Sequence, residues 1–325
     1  MPMTGLRGLC RYLSLGLLLF AAPLAVQADS IITVGTDDHT GAYYRGGGGI
    51  CSLVNASRSE HRMRCRVTST AGAADNIEAL RRGRWELGFA SNDIARDALQ
   101  GSGAFSGDGD FTGLRVVTAL DHETVTIVAR AAAGVDGVRD LEGLRLNIGP
   151  AGSTQRAVLS GLMQVLGWAE GDFADTRSLT QTEQVDAFCN DELDAVMFVS
   201  SHPSRDVRDS LRCDGELVAI EGAAVNRMIR DRDTYSSAAI PGGIYDGVTE
   251  DVPTYSVVTL LLSATHTDQQ TIYEVTRALY EGLADFRGWH AAFEELDTTS
   301  MVERTRASGI PLHPGAEAYF EDNDL

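Results

Sequence analysis

Short apolar runs alternate along this chain with segments in which apolar residues recur three and four positions apart. Short runs bounded by Gly, Pro or polar residues are typical of β-strands, and the periodic segments are typical of amphipathic helices. The predicted strands are 31–36, 66–70, 87–90, 115–120, 124–130, 144–148, 195–199 and 257–262. The predicted helices begin near 41, 75, 92, 155, 183 and 203, and a last one carries Ile272, Val275, Leu279 and Leu283 on one stripe. This alternation predicts an α/β fold with a largely parallel sheet covered by helices on both faces.

Small and polar residues follow several predicted strands at the point where a helix begins. They occupy segments 36–44, 69–74, 91–93 and 150–156. Open α/β sheets bind ligands at the carboxyl ends of their strands, and helix N-termini present free N–H groups and a partial positive charge. Ordinary helix capping explains any one of these segments alone. Their recurrence predicts a site for a small anion, and especially for a carboxylate.

The composition narrows the chemistry. The chain has 325 residues, with 46 Asp and Glu against 27 Lys and Arg and a net charge of -19, and all of those basic residues are arginine. Without lysine there is no Schiff base and no P-loop that ends in Gly-Lys, and the acidic balance argues against a nucleic-acid partner. There is no Gly-x-Ser-x-Gly motif, and the seven histidines lack metal-ligand spacing. We therefore expect no catalytic residue, no metal site and no cofactor.

The N-terminal segment has the pattern of a signal peptide. Arg7 and Arg11 precede an apolar run over 13–26, and residues 26–28 offer small side chains at the positions that a signal peptidase reads. The alternative is a membrane anchor, but a run of about 14 residues is shorter than the roughly 20 that span a bilayer. We expect residues 1–28 to be cleaved and the mature protein to be periplasmic, with no segment that crosses the membrane.

Four cysteines remain after that cleavage: Cys51, Cys65, Cys189 and Cys213. In an oxidising compartment an even number suggests two disulfides, for which three pairings exist. Buried free thiols are the alternative.

A run of glycines at 46–49 is unusual for a predicted helix. Glycines inside a helix weaken it by several tenths to about 1 kcal/mol each relative to alanine. Close packing against neighbouring elements or an interrupted helix would explain that run.

Several sequence motifs, in order along the chain, resemble one known family. They are IITVGTDDHTGAYYRGGGGICSLVN at 31–55, RCRVTSTAGAADNIEALRRG from Arg64, LNIGPAGSTQR from Leu146, SHP at 201–203, IPGGIYDG from Ile240 and PLHPGAEAYF from Pro311. The chain is similar to the TAXI family, the solute-binding proteins of one branch of the TRAP (tripartite ATP-independent periplasmic) transporters. Cys51 and Cys65 also resemble a cysteine pair common in that family.

The resemblance implies a two-lobed periplasmic-binding-protein type II fold, a Venus flytrap with hinge crossings. Lobe 1 would comprise residues 29–130 and 240–325, and lobe 2 residues 131–239, with crossings near 129–132 and 236–241. The disulfides implied are Cys51 with Cys65 and Cys189 with Cys213, because each pair then lies inside one lobe. A bridge between lobes would impede closure.

The family pocket, carried over position by position, draws on loops of both lobes. Tyr43 is expected to line the cleft. An aspartate at the position of Asp93 more often caps a helix than binds an anion, although it could bind an ammonium group. Arg156 could pair with a ligand carboxylate, but an arginine in a first helical turn usually faces solvent. Ser201 and His202 are possible contacts at the edge. The residues implied to bind ligand are Thr40, Gly41, Ala42, Tyr43, Tyr44, Ser69, Thr70, Ala71, Asn92, Asp93, Gly152, Ser153, Thr154, Gln155, Arg156, Ser201 and His202.

Two departures from the family bear on the ligand. Ser91, Asn92 and Asp93 stand where the family often has Gln-Ser-Asp, and Asp37 and Asp38 precede the first loop, where they would repel a second carboxylate or attract a cation. The resemblance implies a small organic or amino acid such as glutamate or 2-oxoglutarate, delivered by a monomeric binding protein to a fused TRAP membrane permease subunit. The alternatives are a ligand-sensing protein that presents to a membrane receptor, and an enzyme of the same fold class.

Overall fold

The structure is a computed structural model that describes residues 29–37, 42–232 and 234–325. The signal-peptide prediction for 1–28 lies outside these residues. The strands are β1 Ser30–Gly35, β2 Met63–Thr68, β3 Leu87–Ser91, β4 Leu114–Arg130, β5 Arg145–Asn147, β6 Asp175–Arg177, β7 Ala195–Ser200, β8 Gly215–Val218, β9 Tyr235–Ile240 and β10 Val252–Ala264. The helices are α1 Ala42–Ala56, α2 Arg58–His61, α3 Ala73–Arg81, α4 Asn92–Gln100, α5 Thr154–Leu166, α6 Gln181–Cys189, α7 Arg205–Arg212, α8 Ala223–Asp231, α9 Gln269–Glu281, α10 Leu283–Arg287, α11 Thr298–Ala307 and α12 Pro314–Asp322.

The strands form one mixed sheet in the order β2-β1-β3-β10-β4-β7-β5-β6, with β8 on β4 and β9 on β10. Pairing is parallel within β2-β1-β3 and within β7-β5-β6. It is antiparallel wherever β4 or β10 takes part. The predicted α/β class is confirmed, but the sheet is less parallel than the sequence suggested, because two long antiparallel strands join its two parallel parts.

Strand β4 is a single strand of 17 residues, not two strands at 115–120 and 124–130. Its first part pairs with β10 from Leu114 to Thr124, and its last part pairs with β7 from Thr124 to Ala129. The polar residues 121–123, which look like a break between two strands, lie where β4 passes from one part of the sheet to the other. β10 behaves similarly, since it pairs with β9 over 252–257 and with β3 over 259–262.

Buried apolar residues form separate clusters on the two sides of this crossing. Val34 and Ile77 belong to clusters built around β1, β3 and the helices next to them, and Leu146 and Phe198 belong to clusters built around β5 and β7. Our lobe boundaries at 130 and 240 stay a prediction. Residues 240–257 pack with the second pair of clusters, so we infer that the chain crosses between lobes inside β4 and β10.

Both implied disulfides are present in the structure. Cys51 on α1 is joined to Cys65 on β2, and Cys189 at the end of α6 is joined to Cys213 after α7. Each bridge closes a short loop, with sequence separations of 14 and 24. In the chain-entropy model a loop of this length contributes about 3 kcal/mol to the free energy of unfolding.

The glycine run of α1 is explained by close packing in a continuous helix. A Cβ atom on Gly47 would lie 2.8 Å from the Thr36 side chain, and one on Gly49 would lie 2.8 Å from the Phe286 ring. Gly46 similarly faces Phe293 at 3.0 Å. The glycines therefore let α1 sit directly against β1 on one side and against α10 and the residues after it on the other.

Replacing Gly49 by alanine should destabilise the protein, and the adjacent Gly48 supplies the control. Both changes gain about 1 kcal/mol of helix propensity. Only Gly49→Ala also forces a methyl group into the buried Phe286 ring, which costs about 1–3 kcal/mol. The nearest neighbour of Gly48 is Trp289 at 3.3 Å, whose exposed side chain can move. In urea unfolding we expect Gly48→Ala to be neutral or stabilising and Gly49→Ala to be destabilising; equal stabilisation would refute the packing account.

Candidate functional site

A cleft of about 630 Å³ lies between the two parallel parts of the sheet. Its walls are the segments that follow β1 and β2 on one side and β5, β6 and β7 on the other. The residues that line it are Asp37, Ala42, Tyr43, Arg45, Ser69, Thr70, Ala71, Gly72, Ala73, Glu123, Pro150, Ser153, Thr154, Gln155, Thr180, Gln181, Thr182, Val185, Asp186, Val199, Ser200, Ser201, Pro203, Ser204, Arg205, Asp206, Asp209 and His290.

Helix N-termini open onto this cleft from both lobes. The first residues of α1 and α3 line it on the lobe 1 side, and those of α5, α6 and α7 line it on the lobe 2 side. Helix N-termini carry unpaired N–H groups and a partial positive charge of about half a unit. Each of these N-termini therefore adds a local partial positive charge to the wall, although no lysine is present.

On the lobe 1 side, Tyr43 and Glu123 form a buried pair. The Tyr43 hydroxyl donates to Glu123 Oε2 at 2.6 Å, and its ring stacks on Phe89 with centroids 5.2 Å apart. Glu123 is only 7% exposed. Burial raises the pKa of Glu123 to about 7, because hydrogen bonds from Tyr43 and Thr259 offset the loss of water only in part.

The loop after β2 is held by its own hydrogen bonds. The Thr70 hydroxyl donates to Thr36 O at 2.7 Å, and the amide nitrogen of Asn76 donates to the same carbonyl at 2.6 Å. The Ser69 hydroxyl donates to Asp37 O at 2.6 Å. These bonds fix the entry to α3, where Ala71 and Gly72 line the cleft.

On the lobe 2 side, α5 begins where Ser153 caps it. The Ser153 hydroxyl accepts from Arg156 N at 3.2 Å and donates to Pro150 O at 2.8 Å. Burial of Val158 and Leu162 on one face then anchors the helix, and Gly167 in the left-handed conformation ends it. The α5 N-terminus is thus fixed at the cleft.

Beneath the α5 and α6 N-termini lies a buried amide network. Gln184 donates to Met197 O at 2.8 Å, which fixes its amide orientation. Its Oε1 then accepts from the amide nitrogens of Asn147 at 2.9 Å and of Gln155 at 3.1 Å. The Oε1 atom of Gln155, which lines the cleft, is buried without a partner among the described residues.

The loop after β7 is held by Asp121, Thr126 and Tyr245. Ser201 donates to Asp121 Oδ2 at 2.5 Å, while His202 bonds Thr126 at 3.0 Å and the Tyr245 hydroxyl at 2.6 Å. Burial lowers the pKa of His202 to about 4, so its imidazole is neutral at physiological pH. His202 therefore positions the loop and does not supply charge to it.

The two lobes touch at one rim of the cleft. Ala74 N donates to Gly152 O at 3.1 Å, and the hydroxyls of Ser91 and Thr154 lie 3.5 Å apart. The contacts join the starts of α3 and α4 to the start of α5, so three helix N-termini meet at this rim.

The structure brings many of the predicted site residues together. Those that line the cleft are Ala42, Tyr43, Ser69, Thr70, Ala71, Ser153, Thr154, Gln155 and Ser201. Thr40 and Gly41 lie outside the described residues. The described lining does not include Tyr44, Asn92, Asp93, Gly152, Arg156 or His202.

The predicted residues that stay outside the cleft have other partners. Asn92 accepts from Val258 N at 3.3 Å, which ties α4 to β10. Burial raises the pKa of Asp93. Arg156 turns away within lobe 2, where it donates to Gly149 O at 2.9 Å and to Ser178 at 2.7 Å. Gly152 belongs to the rim contact.

Sequence reasoning did not assign Glu123 or the N-termini of α6 and α7 to the site. Thr180 and Glu183 form a capping box, with Thr180 Oγ1 accepting from Glu183 N at 3.3 Å. This Thr-x-x-Glu pattern is readable in a sequence and would have placed the start of α6. Glu123 has no such local pattern, because only the packing of α1 and β10 reveals its role.

Other classes of site find no support in the described residues. They contain no group of three or more His, Cys, Asp and Glu that could hold a metal ion. Within the same ranges no helix is long and apolar enough to cross a membrane.

Comparison with known proteins agrees with this architecture. The NMT1-like family model matches residues 34–323. A Xanthomonas citri protein bound to a chloride ion is 13% identical with a TM-score of 0.54, covering 90% of this chain and 100% of that one. The structure of the same protein bound to ATP is 15% identical with a TM-score of 0.53, covering 90% of this chain and 99% of that one. The alkanesulfonate-binding protein SsuA from Xanthomonas axonopodis pv. citri is 18% identical with a TM-score of 0.46, covering 92% of this chain and 93% of that one. The chain shares its mixed α/β fold with the Xanthomonas citri protein.

Proposed function

We propose that this chain, which belongs to the NMT1-like family, is a periplasmic solute-binding protein that holds a small carboxylate between its two lobes. The observation that carries the proposal is the set of helix N-termini, from α1, α3, α5, α6 and α7, that open onto one cleft. A carboxylate placed there can accept hydrogen bonds from both lobes. We infer binding and not catalysis.

The energies are sufficient for useful affinity. A micromolar dissociation constant corresponds to about 8 kcal/mol. Each hydrogen bond to a charged group contributes about 1.5–3 kcal/mol, and a partly buried helix N-terminus adds up to about 2 kcal/mol. A few converging donors therefore suffice after the entropy lost on binding is deducted.

Ligand binding would favour the closed arrangement. A ligand that contacts donors on both lobes binds the closed form more tightly than the open one, and that difference in affinity shifts the population. The rim contact between Ala74 and Gly152 would then form together with the ligand contacts. The segments of β4 and β10 that cross between the lobes would act as the hinge.

The ligand class and the partner follow from the sequence motifs. Their resemblance to the TAXI family supports an organic or amino acid such as glutamate or 2-oxoglutarate as the ligand. It also supports delivery of the closed protein to a TRAP membrane permease. A sensor that presents the closed form to a membrane receptor is the second candidate, because closure would serve either role.

A thermal-shift panel of amino acids and 2-oxo acids tests the binding function. We expect at least one small acid to raise the melting temperature of the purified protein, and Ser153→Trp to abolish that rise, because the indole fills the cleft beside α5. Ser160→Trp, on an exposed position of the same helix, is the control and should keep the rise. Failure of every acid, or a normal rise in Ser153→Trp, would refute the site.

Uptake into membrane vesicles tests the partner. With a TRAP permease, we expect uptake of the bound acid to stop when an ionophore collapses the ion gradient and to need no ATP. Uptake that requires ATP would contradict the TRAP assignment. Tight binding without uptake would favour the sensor, and chemical conversion of the ligand on incubation would favour an enzyme.

A further inference from the structure

The cleft is lined by more acids than bases. Asp37, Glu123, Asp186, Asp206 and Asp209 line it, together with Arg45, Arg205 and His290. A ligand with two carboxylates and no cation would meet this excess of negative charge as a repulsion. The helix N-termini nonetheless favour one carboxylate. The lining therefore fits a ligand that carries charges of both signs.

Glu123 is the acid placed deepest in this wall. It is 7% exposed, and its hydrogen-bond donors are the hydroxyls of Tyr43 and Thr259, which bring no positive charge. The charged side chains that act on it most are Asp121 and Asp93, both acids. Buried carboxylates are ordinarily paired with a cation or bound to a metal. Among the described residues no ion pair supplies that cation.

An unpaired acceptor in the cleft lining points to a ligand group that offers hydrogen-bond donors. Gln155 Oε1 and Ser200 Oγ are buried without hydrogen-bond partners among the described residues, and both residues line the cleft. The Gln155 amide orientation is fixed because its nitrogen must donate to Gln184 Oε1. An ammonium group offers three donors and no acceptor. Such a group would supply the donor that Gln155 Oε1 lacks.

We propose that Glu123 is the counter-ion for a protonated amine of the ligand, so that the cleft selects α-amino acids over the 2-oxo acids of the same shape. The inference rests on the proposed function, in which helix N-termini bind the carboxylate. Arg45, Arg205 and the remaining acids at the cleft edge then set the preference for the rest of the ligand. The amine is the feature that distinguishes glutamate from 2-oxoglutarate.

Matched ligand pairs test this inference by isothermal titration calorimetry. L-Glutamate is paired with 2-oxoglutarate and L-alanine with pyruvate, and the pair with the larger thermal shift is used. At pH 8 we expect the amino acid to bind at least tenfold more tightly. In Glu123→Gln that ratio should fall to about threefold or less, because the amine loses its counter-ion and the oxo acid loses a repulsive charge.

Asp186→Asn is the matched control. It removes the same charge from the cleft lining at an exposed position, and we expect it to leave the ratio within about twofold of the unaltered protein. An equal loss of selectivity in both variants would overturn the assignment to Glu123. Equal or tighter binding of the oxo acid by the unaltered protein would also overturn it while leaving the proposed function intact. Absence of binding by either acid would instead refute the proposed function.

The pH dependence of the unaltered protein is a second readout that needs no variant. Titratable groups facing Glu123 are Tyr43 on α1, Asp121 on β4 and Asp93 on α4. Ionisation of Glu123 should strengthen amino-acid binding and weaken oxo-acid binding as the pH rises from 6 to 8. These opposite trends should both disappear in Glu123→Gln. Parallel trends for the two ligands would contradict the proposal.

Discussion

Gly152→Ala will weaken ligand binding at least tenfold while leaving a folded protein. The φ of Gly152 is 79°, and a Cβ atom there would lie 2.8 Å from the Cβ of Ala74 on the opposite lobe. A contact this short forces the lobes apart at the rim. Because closure is part of binding, the free energy needed to accommodate this contact appears as lost affinity. A tenfold loss of affinity corresponds to about 1.4 kcal/mol.

Gly143→Ala separates this effect from backbone strain. Gly143 has a φ of 81° and no neighbouring atom within 4 Å of the added Cβ. Both alanines should therefore lose about 1 kcal/mol of folding stability from the left-handed conformation. Only Gly152→Ala should lose affinity in calorimetry. Equal affinities would show that the rim contact does not take part in binding.

Glu123→Gln will make the ligand-free protein more stable above neutral pH. Burial raises the pKa of Glu123 from 4.5 to about 7. The native state therefore keeps a proton that the unfolded chain releases between these values. The free energy of unfolding thus falls as the pH rises through this window and stays lower above it. Each pKa unit corresponds to about 1.4 kcal/mol, so the ionised Glu123 carboxylate lowers the free energy of unfolding by about 3 kcal/mol at pH 8.

Glutamine keeps an oxygen that accepts from the Tyr43 hydroxyl and has no proton to lose. We therefore expect urea unfolding to show a gain of about 3 kcal/mol for Glu123→Gln at pH 8 and little difference at pH 5. Asp186→Asn, at its exposed position, should show little difference at either pH. A Glu123→Gln gain that is the same at both pH values would contradict an ionisation effect. The gain would also show that any lost ligand affinity does not come from misfolding.

Local patterns predict much of this fold because local chemistry decides it. The helix that the sequence predicts to begin near 155 is α5, which occupies Thr154–Leu166 because Ser153 caps it and Gly167 ends it. Strand β7 was predicted over 195–199 and occupies Ala195–Ser200. Here the local signal is a short apolar run bounded by polar residues. The pairing of Cys51 with Cys65 and of Cys189 with Cys213 was implied by the family resemblance and is present.

Tertiary contacts decide what the local patterns missed. Residues 121–123 interrupt an apolar run, yet β4 continues through them, and Glu123 is accommodated by hydroxyls from α1 and β10. Strand β9 has small and polar residues and forms only by pairing with β10. Asn92 follows a strand end, where a ligand contact is expected, but its side-chain oxygen accepts a hydrogen bond from Val258 N instead.

Isothermal titration calorimetry of the purified protein with the acid that gives the largest thermal shift tests the central claim most directly. A carboxylate held between the two lobes predicts one ligand per chain, a dissociation constant near the micromolar range and no binding heat in Ser153→Trp. Unchanged binding in Ser153→Trp, or the absence of heat with every amino acid and 2-oxo acid of the panel, would contradict it.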